Sequence, residues 1–564
     1  MFALGCLCAI FAMFGNNYFL YLTALISVYA IASLGLGIIQ GLCKTTSIGH
    51  GLFFAIGAYG FALMKDFPLL GGWAALPVII CLGACLGAGL GWLTNRLTGA
   101  QFALASLCWA TIGYQLIVEI KALTGGFGGM STISEGSKSS GISPGAMFVV
   151  AGLILAVAAT AISNLHRSPW GRAFAALGDD PLALESLGLS RRHLTVSAMT
   201  LSAAIVALAG WLFAPLARYI GPENFSPQLS ITLLLMTIFG GARHPLGAII
   251  GSAAVIGLPE LANDYSDFRL ILYGGILLAT VFFFPNGVTG GLRLYTITRT
   301  LSAGNDAGHI GEPVRPSTLG FEDISVNYGG NTALAGATGE IAGGNITCLV
   351  GGNGAGKTTL LNALSGFGPP HDGDVNIDGL RIAGSTPHNC SRAGIARTFQ
   401  TPRPFASLAI WEGVAVGLAG AKLGSIFSAF TMGGSRMKAE AQFHQEAATM
   451  LGRMSFRGDL DAKPAALTYA EWRTADLARS VAAKSKFLLL DEPTAGLDSQ
   501  EIDALERTLH GLRTQGMAIL LVSHDMNFVL ENAVQIIVLE AGKVAYSGPP
   551  SKETLEKYIG KFAL

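Results

Sequence analysis

A glycine-rich stretch near the middle of the chain has the composition of a phosphate-binding loop. It reads GGNGAGKTT. Its glycines let consecutive backbone N–H groups close around phosphate oxygens, Lys357 adds a positive charge, and the hydroxyl of Thr358 suits a magnesium ion. We therefore predict that a nucleotide is bound by Gly351, Gly352, Asn353, Gly354, Ala355, Gly356, Lys357, Thr358 and Thr359.

A second motif, FLLLDEPTAGLD at 487–498, supplies the acidic residues that such chemistry needs. Asp491 ends an apolar run and suits magnesium through water, and Glu492 beside it is placed to polarise a water aimed at the γ-phosphate. His524 in LVSHDM suits a hydrogen bond on the γ-phosphate side, and Gln400 in ARTFQ can reach the metal and the attacking water. We predict Glu492 and His524 as catalytic residues, and the metal ligands Thr358, Gln400 and Asp491.

The order of these motifs along the chain narrows the class of nucleotide-hydrolysing protein to which the sequence could belong. Tyr328 suits stacking on adenine, with an ordinary strand-surface aromatic as the alternative. The motifs described so far are joined by LTYAEWR and by AGLD, which ends at Asp498, the D-loop residue. In order and spacing, the full set resembles the nucleotide-binding domain of ABC transporters, over about residues 318 to 556. The resemblance implies that two such domains pair head to tail, so that each ATP lies between the phosphate loop of one domain and the signature segment of the other.

The signature segment departs from the family pattern. Where the family has LSGGQ or LSYGEQ, this chain has Leu467, Thr468, Tyr469, Ala470 and Glu471. Thr468 and Glu471 have the spacing of a capping box, so the helix N-terminus that faces phosphate should persist. The Ala470 methyl group would either block close approach of the backbone to phosphate or oppose a backbone angle that only glycine adopts cheaply. We therefore expect two asymmetric sites, with the one that uses Ala470 weak.

The first 300 residues or so have the composition of a membrane protein. Mean hydropathy of the whole chain is +0.50, and charged residues make up only 13%. Apolar runs long enough to cross a bilayer predict about eight to ten helical spans, among them 73–93, 146–163, 194–217 and 268–284. A loop carrying His166, Arg167, Arg172, Arg191 and Arg192 is predicted to be cytoplasmic. Residues 1–15 lack Lys and Arg, so we interpret them as part of a retained span.

The predicted fold is a multi-span α-helical membrane domain followed by an α/β P-loop NTPase domain of the ABC ATPase kind. We place the transmembrane domain at 1–300, a linker rich in Gly, Ser and Pro at 301–317, and the nucleotide-binding domain at 318–564, with a helical subdomain at about 401–480. Apolar runs at 346–350, 487–490 and 518–522 each end where a polar motif begins. That pattern is typical of the C-terminal edge of a parallel sheet, where α/β folds bind ligands.

Four segments of the membrane part resemble the permease subunits of branched-chain amino acid and urea-type ABC importers. They are SIGHGLFFAIGAYG, LTGGFGGM, SPWGRAFAALGDDPLALESLGLS and MTIFGGARHPLGAIIG. In the third, Asp180 suits the N-cap, Pro181 the first position and Gly188 the exit of a short helix. Such a helix could dock in an ATPase groove and transmit motion, with an ordinary amphipathic loop helix as the alternative. The predicted coupling-helix residues are Asp180, Pro181, Leu184, Glu185, Leu187 and Gly188.

The sequence gives weaker evidence on which residues of the membrane part would contact a transported solute. LTGGFGGM suits either a broken helix that exposes backbone groups to a polar solute or a turn outside the membrane. His50 and Lys44 are ionisable groups in an apolar region, where a functional role and a packing or interfacial role both remain open. The eight cysteines show neither metal-ligand spacing nor a disulfide framework.

The two resemblances imply an ATP-driven importer subunit for small polar solutes such as branched-chain amino acids, other amino acids, urea or amides. Its cofactors would be ATP and Mg²⁺, and its location the bacterial-type cytoplasmic (inner) membrane, with the ATPase domain in the cytoplasm. Implied partners are membrane lipid, a second permease, a second ABC ATPase or another copy of this chain, and a periplasmic solute-binding protein, with no nucleic acid. An exporter and a regulatory subunit with impaired ATP turnover are the alternatives. Importer-like motifs oppose the first, and Glu492 and His524 oppose the second.

Overall fold

The computed structural model describes residues 16–66, 71–133, 143–257, short stretches between 274 and 291, and then 315–369, 371–420, 423–431 and 434–559. The chain divides into two compact units. The first is made of Met1–Gly178, Arg191–Arg299 and Ser425–Met432, and the second of Asp179–Ser190, Thr300–Gly424 and Gly433–Leu564. Each unit therefore includes one short segment whose neighbours in sequence belong to the other unit.

The first unit is helical. Its α-helices are α1 (Asn17–Gly37), α2 (His50–Leu63), α3 (Leu76–Thr94), α4 (Gly99–Glu119), α5 (Lys121–Thr124), α6 (Pro144–His166), α7 (Pro169–Asp179), α9 (Arg191–Ala217), α10 (Pro227–Gly240), α11 (Pro245–Ser252) and α12 (Gly287–Gly291); α8 lies in the second unit. Shorter 3-10 and π segments are Ile38–Leu42, Gly71–Ala75, Gly126–Gly128, Pro222–Phe225, Ala253–Gly257 and Ile426–Phe430. Two short strands, β1 (Met130–Ser131) and β2 (Tyr219–Ile220), pair antiparallel.

Five helical stretches among the described residues are long and apolar enough to cross a membrane. They are Asn17–Leu42, Gly72–Thr94, Gly99–Glu119, Pro144–His166 and Arg191–Ala217. The predicted spans at 73–93, 146–163 and 194–217 fall within three of them. Residues 1–15, most of 268–284 and the linker residues 301–314 lie outside the described residues, so the predicted total of eight to ten spans stays a prediction.

Small residues let α9 pack directly against α2 and α3. A Cβ added at Gly57 of α2 would lie 2.0 Å from the carbonyl oxygen of Ala207, and one added at Gly210 of α9 would lie 1.9 Å from that of Phe54. At Gly87 of α3, an added Cβ would lie 2.5 Å from the Cβ of Ala203. The helices thus approach to backbone contact, the arrangement that small residues favour inside a membrane.

The structure bears on two features whose interpretation was open, and it favours packing for His50 and a turn for LTGGFGGM. His50 is buried, with Nδ1 2.9 Å from Ser47 Oγ and Nε2 2.7 Å from Ser202 Oγ, so both ring nitrogens have partners within the helix bundle. The LTGGFGGM stretch forms a turn after α5, because Gly125, Gly126 and Gly129 adopt positive φ values of 74°, 57° and 61°. Such left-handed positions suit glycine and end a helix.

The described residues of the second unit form two sheets. One has six strands in the order β12-β11-β5-β10-β9-β8, with β12 antiparallel to β11 and the other neighbours parallel. The other is antiparallel, in the order β4-β3-β6-β7. The strands are β3 (Thr318–Tyr328), β4 (Asn331–Ala342), β5 (Ile346–Gly351), β6 (Asp372–Ile377), β7 (Leu380–Arg381), β8 (Ile395–Arg397), β9 (Phe487–Asp491), β10 (Ala518–Val522), β11 (Gln535–Glu540) and β12 (Lys543–Gly548).

Helices surround the larger sheet. They are α8 (Pro181–Glu185), α13 (Lys357–Ser365), α14 (Pro387–Arg392), α15 (Ile410–Ala419), α16 (Gly434–Arg453), α17 (Tyr469–Ala482), α18 (Ser499–Thr514), α19 (Met526–Asn532) and α20 (Lys552–Ile559), with a 3-10 turn at Pro464–Ala466. Alternate residues of the central strands are buried in two separate apolar clusters, for example Leu489 and Leu520 in one and Leu488 and Leu521 in the other. Burial on both faces explains why these strands are continuous apolar runs.

Strand register places the predicted motifs at one edge. β10 lies between β5 and β9, with Leu520 opposite Thr347 on one side and Leu489 on the other. Because the three strands are parallel, their C-terminal ends reach the same edge, where the glycine-rich loop, the Asp491–Glu492 pair and His524 follow. The predicted parallel sheet is confirmed, and the predicted motifs follow strands that end at one edge, where α/β folds bind ligands.

The close helix crossing in the first unit gives a stability prediction. Gly57→Ala forces a methyl group against the backbone of α9, so we expect the melting temperature of the purified, detergent-solubilised protein to fall by several degrees, corresponding to about 1–3 kcal/mol of overpacking. Gly152→Ala in α6 is the matched control, because among the described residues only the neighbouring backbone of α6 itself lies close to an added Cβ there. Equal melting temperatures for the two variants would contradict the packing.

Candidate nucleotide site and coupling segment

The glycine-rich loop joins β5 to α13. Gly354 and Gly356 adopt positive φ values of 78° and 103°. At Gly356 an added Cβ would lie 2.6 Å from the carbonyl oxygen of Ala333, so both the backbone angle and the space require glycine. Lys357 Nζ donates to the carbonyl oxygens of Gly351 (2.8 Å) and Gly352 (3.0 Å), which folds the ammonium group over the loop. Burial lowers the pKa of Lys357, and the negative charges of Glu492 and Asp491 oppose that shift.

Asp491 is a buried carboxylate at the end of β9. Burial raises its pKa, and the guanidinium group of Arg397, 3.6 Å away, acts in the opposite direction. Arg397 Nη1 also donates to Asn362 Oδ1 (2.5 Å) and Ser365 Oγ (3.1 Å) of α13. Arg397 therefore ties the helix that follows the phosphate loop to the acidic strand end.

Glu492 contacts two of the other predicted site residues. Its Oε2 accepts a hydrogen bond from Gln400 Nε2 (3.1 Å), and its Oε1 lies 3.2 Å from His524 Nε2. Its φ is +49°, a left-handed conformation that costs a non-glycine residue about 1–3 kcal/mol. A backbone hydrogen bond from Glu492 N to Val522 O (3.1 Å) helps to hold it there. Strain held in this way is typical of functional positions.

Sequence analysis missed Arg473, which holds this group of residues together. Its guanidinium group donates to the carbonyl oxygens of Phe399 (3.1 Å), Gln400 (2.6 Å) and Glu492 (3.3 Å). The side chain belongs to α17, the helix that begins at the signature segment. Its position at the end of LTYAEWR was the only signal, and nothing in that pattern indicates which carbonyls an arginine would reach.

The signature segment forms a helix start as predicted. Thr468 is the N-cap of α17, with Glu471 N donating to Thr468 Oγ1 (3.3 Å) and Thr468 N donating to Glu471 Oε2 (2.9 Å), so the capping box is confirmed. Ala470 lies within α17 and has no positive φ. The expectation that it opposes a glycine-only backbone angle is therefore wrong, because a right-handed helix suits alanine. The other expectation, a methyl group that blocks close approach to phosphate, stays a prediction.

The remaining predicted residues lie on nearby elements. Tyr328 is half-exposed at the end of β3 and pairs with Asn331 of β4, two residues before the Ala333 carbonyl that packs on Gly356. Asp498 is the N-cap of α18, with its Oδ1 accepting from Glu501 N (2.8 Å). The other predicted residues of the loop and signature differ in exposure. Asn353, Thr358 and Tyr469 are exposed, Thr359 and Leu467 are partly buried, and Ala355 is buried.

The predicted coupling helix is part of the second unit. Asp180 is the N-cap of α8, with Oδ1 2.9 Å from both Leu182 N and Ala183 N, and Pro181 takes the first position. Gly188 follows with a φ of +83°. The predicted cap, first position and exit are confirmed. Leu184 and Leu187 are buried and Glu185 is partly buried.

Three side chains of the ATPase sequence hold the segment Asp179–Ser190, which we call the coupling segment. Arg403 Nη1 lies 2.9 Å from Asp180 Oδ2. Ser407 donates to Asp179 Oδ2 from its backbone N (2.8 Å) and from Oγ (2.5 Å). Arg392 Nε donates to Gly188 O (3.0 Å). Sequence analysis named none of these three residues, because they lie more than 200 positions from the segment they contact.

The sheet, the glycine-rich loop, the acidic strand end and the helix-capping signature define an ATP-binding cassette of the ABC type. The same chain carries several helices that are long and apolar enough to cross a membrane, which indicates a multi-pass membrane protein that contains an ATPase domain.

Comparisons with known proteins give the family. Residues 18–281 match the family described as "Branched-chain amino acid transport system / permease component", and residues 334–495 match "ABC transporter". The chain is 30% identical over 292 residues to the high-affinity branched-chain amino acid transport system permease protein LivM of Escherichia coli (strain K12), with 47% of this chain and 69% of that protein covered. It is 28% identical over 249 residues to the high-affinity branched-chain amino acid transport ATP-binding protein BraF of Pseudomonas aeruginosa, with 43% of this chain and 98% of that protein covered.

Among solved structures, a nucleotide-free ATP-binding cassette from an ABC transporter is 22% identical, with 43% of this chain and 95% of that chain covered and a TM-score of 0.37. From the sequence matches, the chain belongs to the branched-chain amino acid ABC transporter family, with permease and ATPase fused in one polypeptide.

The Arg473 contacts give a kinetic prediction. Lysine keeps the charge but has no planar fork to reach three carbonyl oxygens, so Arg473→Lys is expected to lower the ATPase kcat about tenfold with little change in nucleotide affinity. Steady-state ATPase assays and nucleotide titration of the assembled complex measure both. Arg381→Lys is the matched control, because that side chain is 72% exposed on an edge strand. A wild-type kcat for Arg473→Lys would show that the three hydrogen bonds do not position Glu492.

Proposed function

We propose that this chain is the fused permease and ATPase subunit of an importer that moves branched-chain amino acids across the cytoplasmic (inner) membrane. The observation that carries the proposal is the coupling segment, which follows α7 and precedes α9 of the membrane unit in sequence and is hydrogen-bonded to ATPase residues in the second unit. It joins an ATP-hydrolysing fold to helices of membrane-crossing length. The resulting mechanism is alternating access, in which nucleotide-driven closure moves the helices through this segment.

The choice of solute is supported by the two relatives. Both are named for high-affinity branched-chain amino acid transport, and one is a permease protein while the other is an ATP-binding protein. This chain resembles each of them over a different part of its length, as expected for a subunit that combines their roles. Other amino acids, urea and amides remain the competing solutes, and uptake competition among them would rank them.

The geometry supports a proposed role for each residue at the sheet edge. Glu492 would take the proton of the attacking water, with Gln400 and His524, which both contact it, orienting the carboxylate. Lys357 and the loop amides would bind the β- and γ-phosphates. Thr358, Gln400 and Asp491 offer hydroxyl, amide and carboxylate oxygens, the hard ligands that Mg²⁺ prefers. The metal, when bound, neutralises charge that develops on the phosphates.

The proposed partners are those that the family resemblance implies. This chain supplies one phosphate loop and one signature helix, and the head-to-tail pairing of the family needs two of each. A second ABC ATPase or another copy of this chain would supply them, with a second permease across the pore and a periplasmic solute-binding protein.

Tyr328, half-exposed at the end of β3, would stack on the adenine of the bound ATP.

A Glu492→Gln substitution tests the proposed function. Amide nitrogen cannot accept the water proton, so we expect ATP turnover and ATP-driven uptake of radiolabelled leucine to fall at least a hundredfold in the assembled complex, while nucleotide binding is retained. Glu446→Gln on the exposed face of α16 is the matched control and is expected to leave both activities unchanged. Turnover of Glu492→Gln at the wild-type rate would contradict the assignment and favour a regulatory subunit.

The Ala470 methyl group gives a prediction in the opposite direction. If it blocks close approach of the signature helix to phosphate, Ala470→Gly relieves a penalty of about 1 kcal/mol and raises the ATPase rate of the assembled complex several-fold. Ala439→Gly in α16 is the control for the effect of glycine on a helix. An unchanged rate in Ala470→Gly would remove the hypothesis of a weak second site.

A further inference from the structure

A second segment also belongs to the unit opposite to its sequence neighbours. Residues Ser425–Met432 are part of the first unit, although α15 before them and α16 after them belong to the second. The described part, Ser425–Thr431, forms a 3-10 helix at Ile426–Phe430. We call Ser425–Thr431 the uncharged segment, since no charged residue occurs between Gly424 and Gly434.

One hydrogen bond fixes where this segment lies in the first unit. Asn164 Nδ2, near the C-terminal end of α6, donates to the carbonyl oxygen of Phe430 (2.9 Å). Asn164 is only 7% exposed. A polar side chain near the end of an apolar helix is thus used to bind the backbone of the segment.

The two faces of α6 show which side of the helix the segment occupies. Ala151, Leu155 and Ile162 are buried, and the helix packs against α1. Leu153 and Val157 are 58% and 68% exposed, as expected for side chains that face lipid. At about 100° per residue, Asn164 lies half a turn away from Leu155 and within about 20° of Val157. The uncharged segment therefore lies on the lipid-facing side of α6.

The position along α6 places the segment at the membrane surface. The 23 residues of α6 rise about 34 Å, slightly more than the ~30 Å of bilayer hydrocarbon. Asn164 is in the last turn and is followed by Arg167, and the excess of basic residues there marks the cytoplasmic side. The contact between Asn164 and Phe430 therefore lies close to the boundary between acyl chains and headgroups of the cytoplasmic leaflet.

The exposed chemistry of the segment matches that boundary. Phe427 is 78% exposed, the highest exposed fraction of any large apolar side chain in the described residues. Aromatic side chains concentrate at membrane interfaces, where the ring is removed from water while the neighbouring polar groups stay hydrated. Ser425 and Ser428 flank the ring on either side, and Ser428 Oγ donates to Ser425 O (2.6 Å).

We propose that the uncharged segment is a membrane-interface anchor in which Phe427 inserts among phospholipids of the cytoplasmic leaflet beside α6. The proposal goes beyond the transport function and rests only on the chain being a membrane protein. It gives the ATPase sequence a contact with lipid that is separate from both the linker and the coupling segment.

Photocrosslinking tests the proposal. We would replace Phe427 by p-benzoylphenylalanine in the intact complex, reconstitute it in vesicles of phosphatidylethanolamine and phosphatidylglycerol, irradiate, and identify adducts by mass spectrometry. Phospholipid adducts are expected at a yield within about threefold of the same probe at Val157. The same probe at Leu380, which is 72% exposed in the antiparallel sheet of the second unit, is the matched control and is expected to give none. Crosslinks mainly to a protein chain, or a lipid yield no higher than at Leu380, would overturn the proposal.

A second variant guards against a folding defect caused by the bulky probe. Phe427→Trp preserves an aromatic side chain, and its added emission is expected to be quenched by brominated phospholipids at least twice as strongly as that of Leu380→Trp. Equal quenching of the two variants would contradict insertion. ATP-driven uptake plays no part in this readout, so failure of the anchor and failure of the proposed transport function are distinguishable.

Discussion

Two adjacent carboxylates, Asp179 and Asp180, hold the coupling segment within the second unit. Asp180 both caps α8 and pairs with Arg403, while Asp179 accepts two hydrogen bonds from Ser407. A carboxylate that caps a helix, pairs with a cation and is partly buried has few alternative positions. Moving it would break charge-assisted hydrogen bonds and leave its partners unpaired. These contacts give a short helix of only five residues a fixed place in the ATPase unit.

The residues that hold these carboxylates are close in sequence to the nucleotide site. Gln400 contacts Glu492 at the sheet edge, and Arg403 and Ser407 follow it within one short loop. Arg473 anchors the start of this loop by binding the carbonyls of Phe399 and Gln400, and Arg479 Nη1 anchors its middle through Arg403 O (2.8 Å). Both arginines are on α17, which begins at the signature segment. Hydrogen bonds therefore run without a gap from the signature helix and Gln400 to Asp179 and Asp180.

The sequence was sufficient where local pattern decides structure. Apolar runs predicted the central strands, motif order predicted the sheet edge, and capping residues predicted the starts of α8 and α17. It failed where distant residues decide. Arg473, Arg403 and Ser407 are ordinary polar residues until the fold brings them to carbonyls and carboxylates, and the Ser425–Thr431 segment has no periodic pattern that would assign it to the membrane unit. At Ala470 the family pattern suggested an unfavourable backbone angle, whereas the position is helical and suits alanine.

The most direct test of the account is the number of leucine molecules taken up per ATP hydrolysed by the reconstituted complex carrying Asp180→Asn together with Arg403→Gln. Asparagine still caps a helix well, so this pair of changes removes the ion pair and keeps α8. We expect ATP turnover close to the wild-type rate, with leucine uptake per ATP reduced several-fold. A wild-type ratio of uptake to hydrolysis would contradict transmission through these carboxylates.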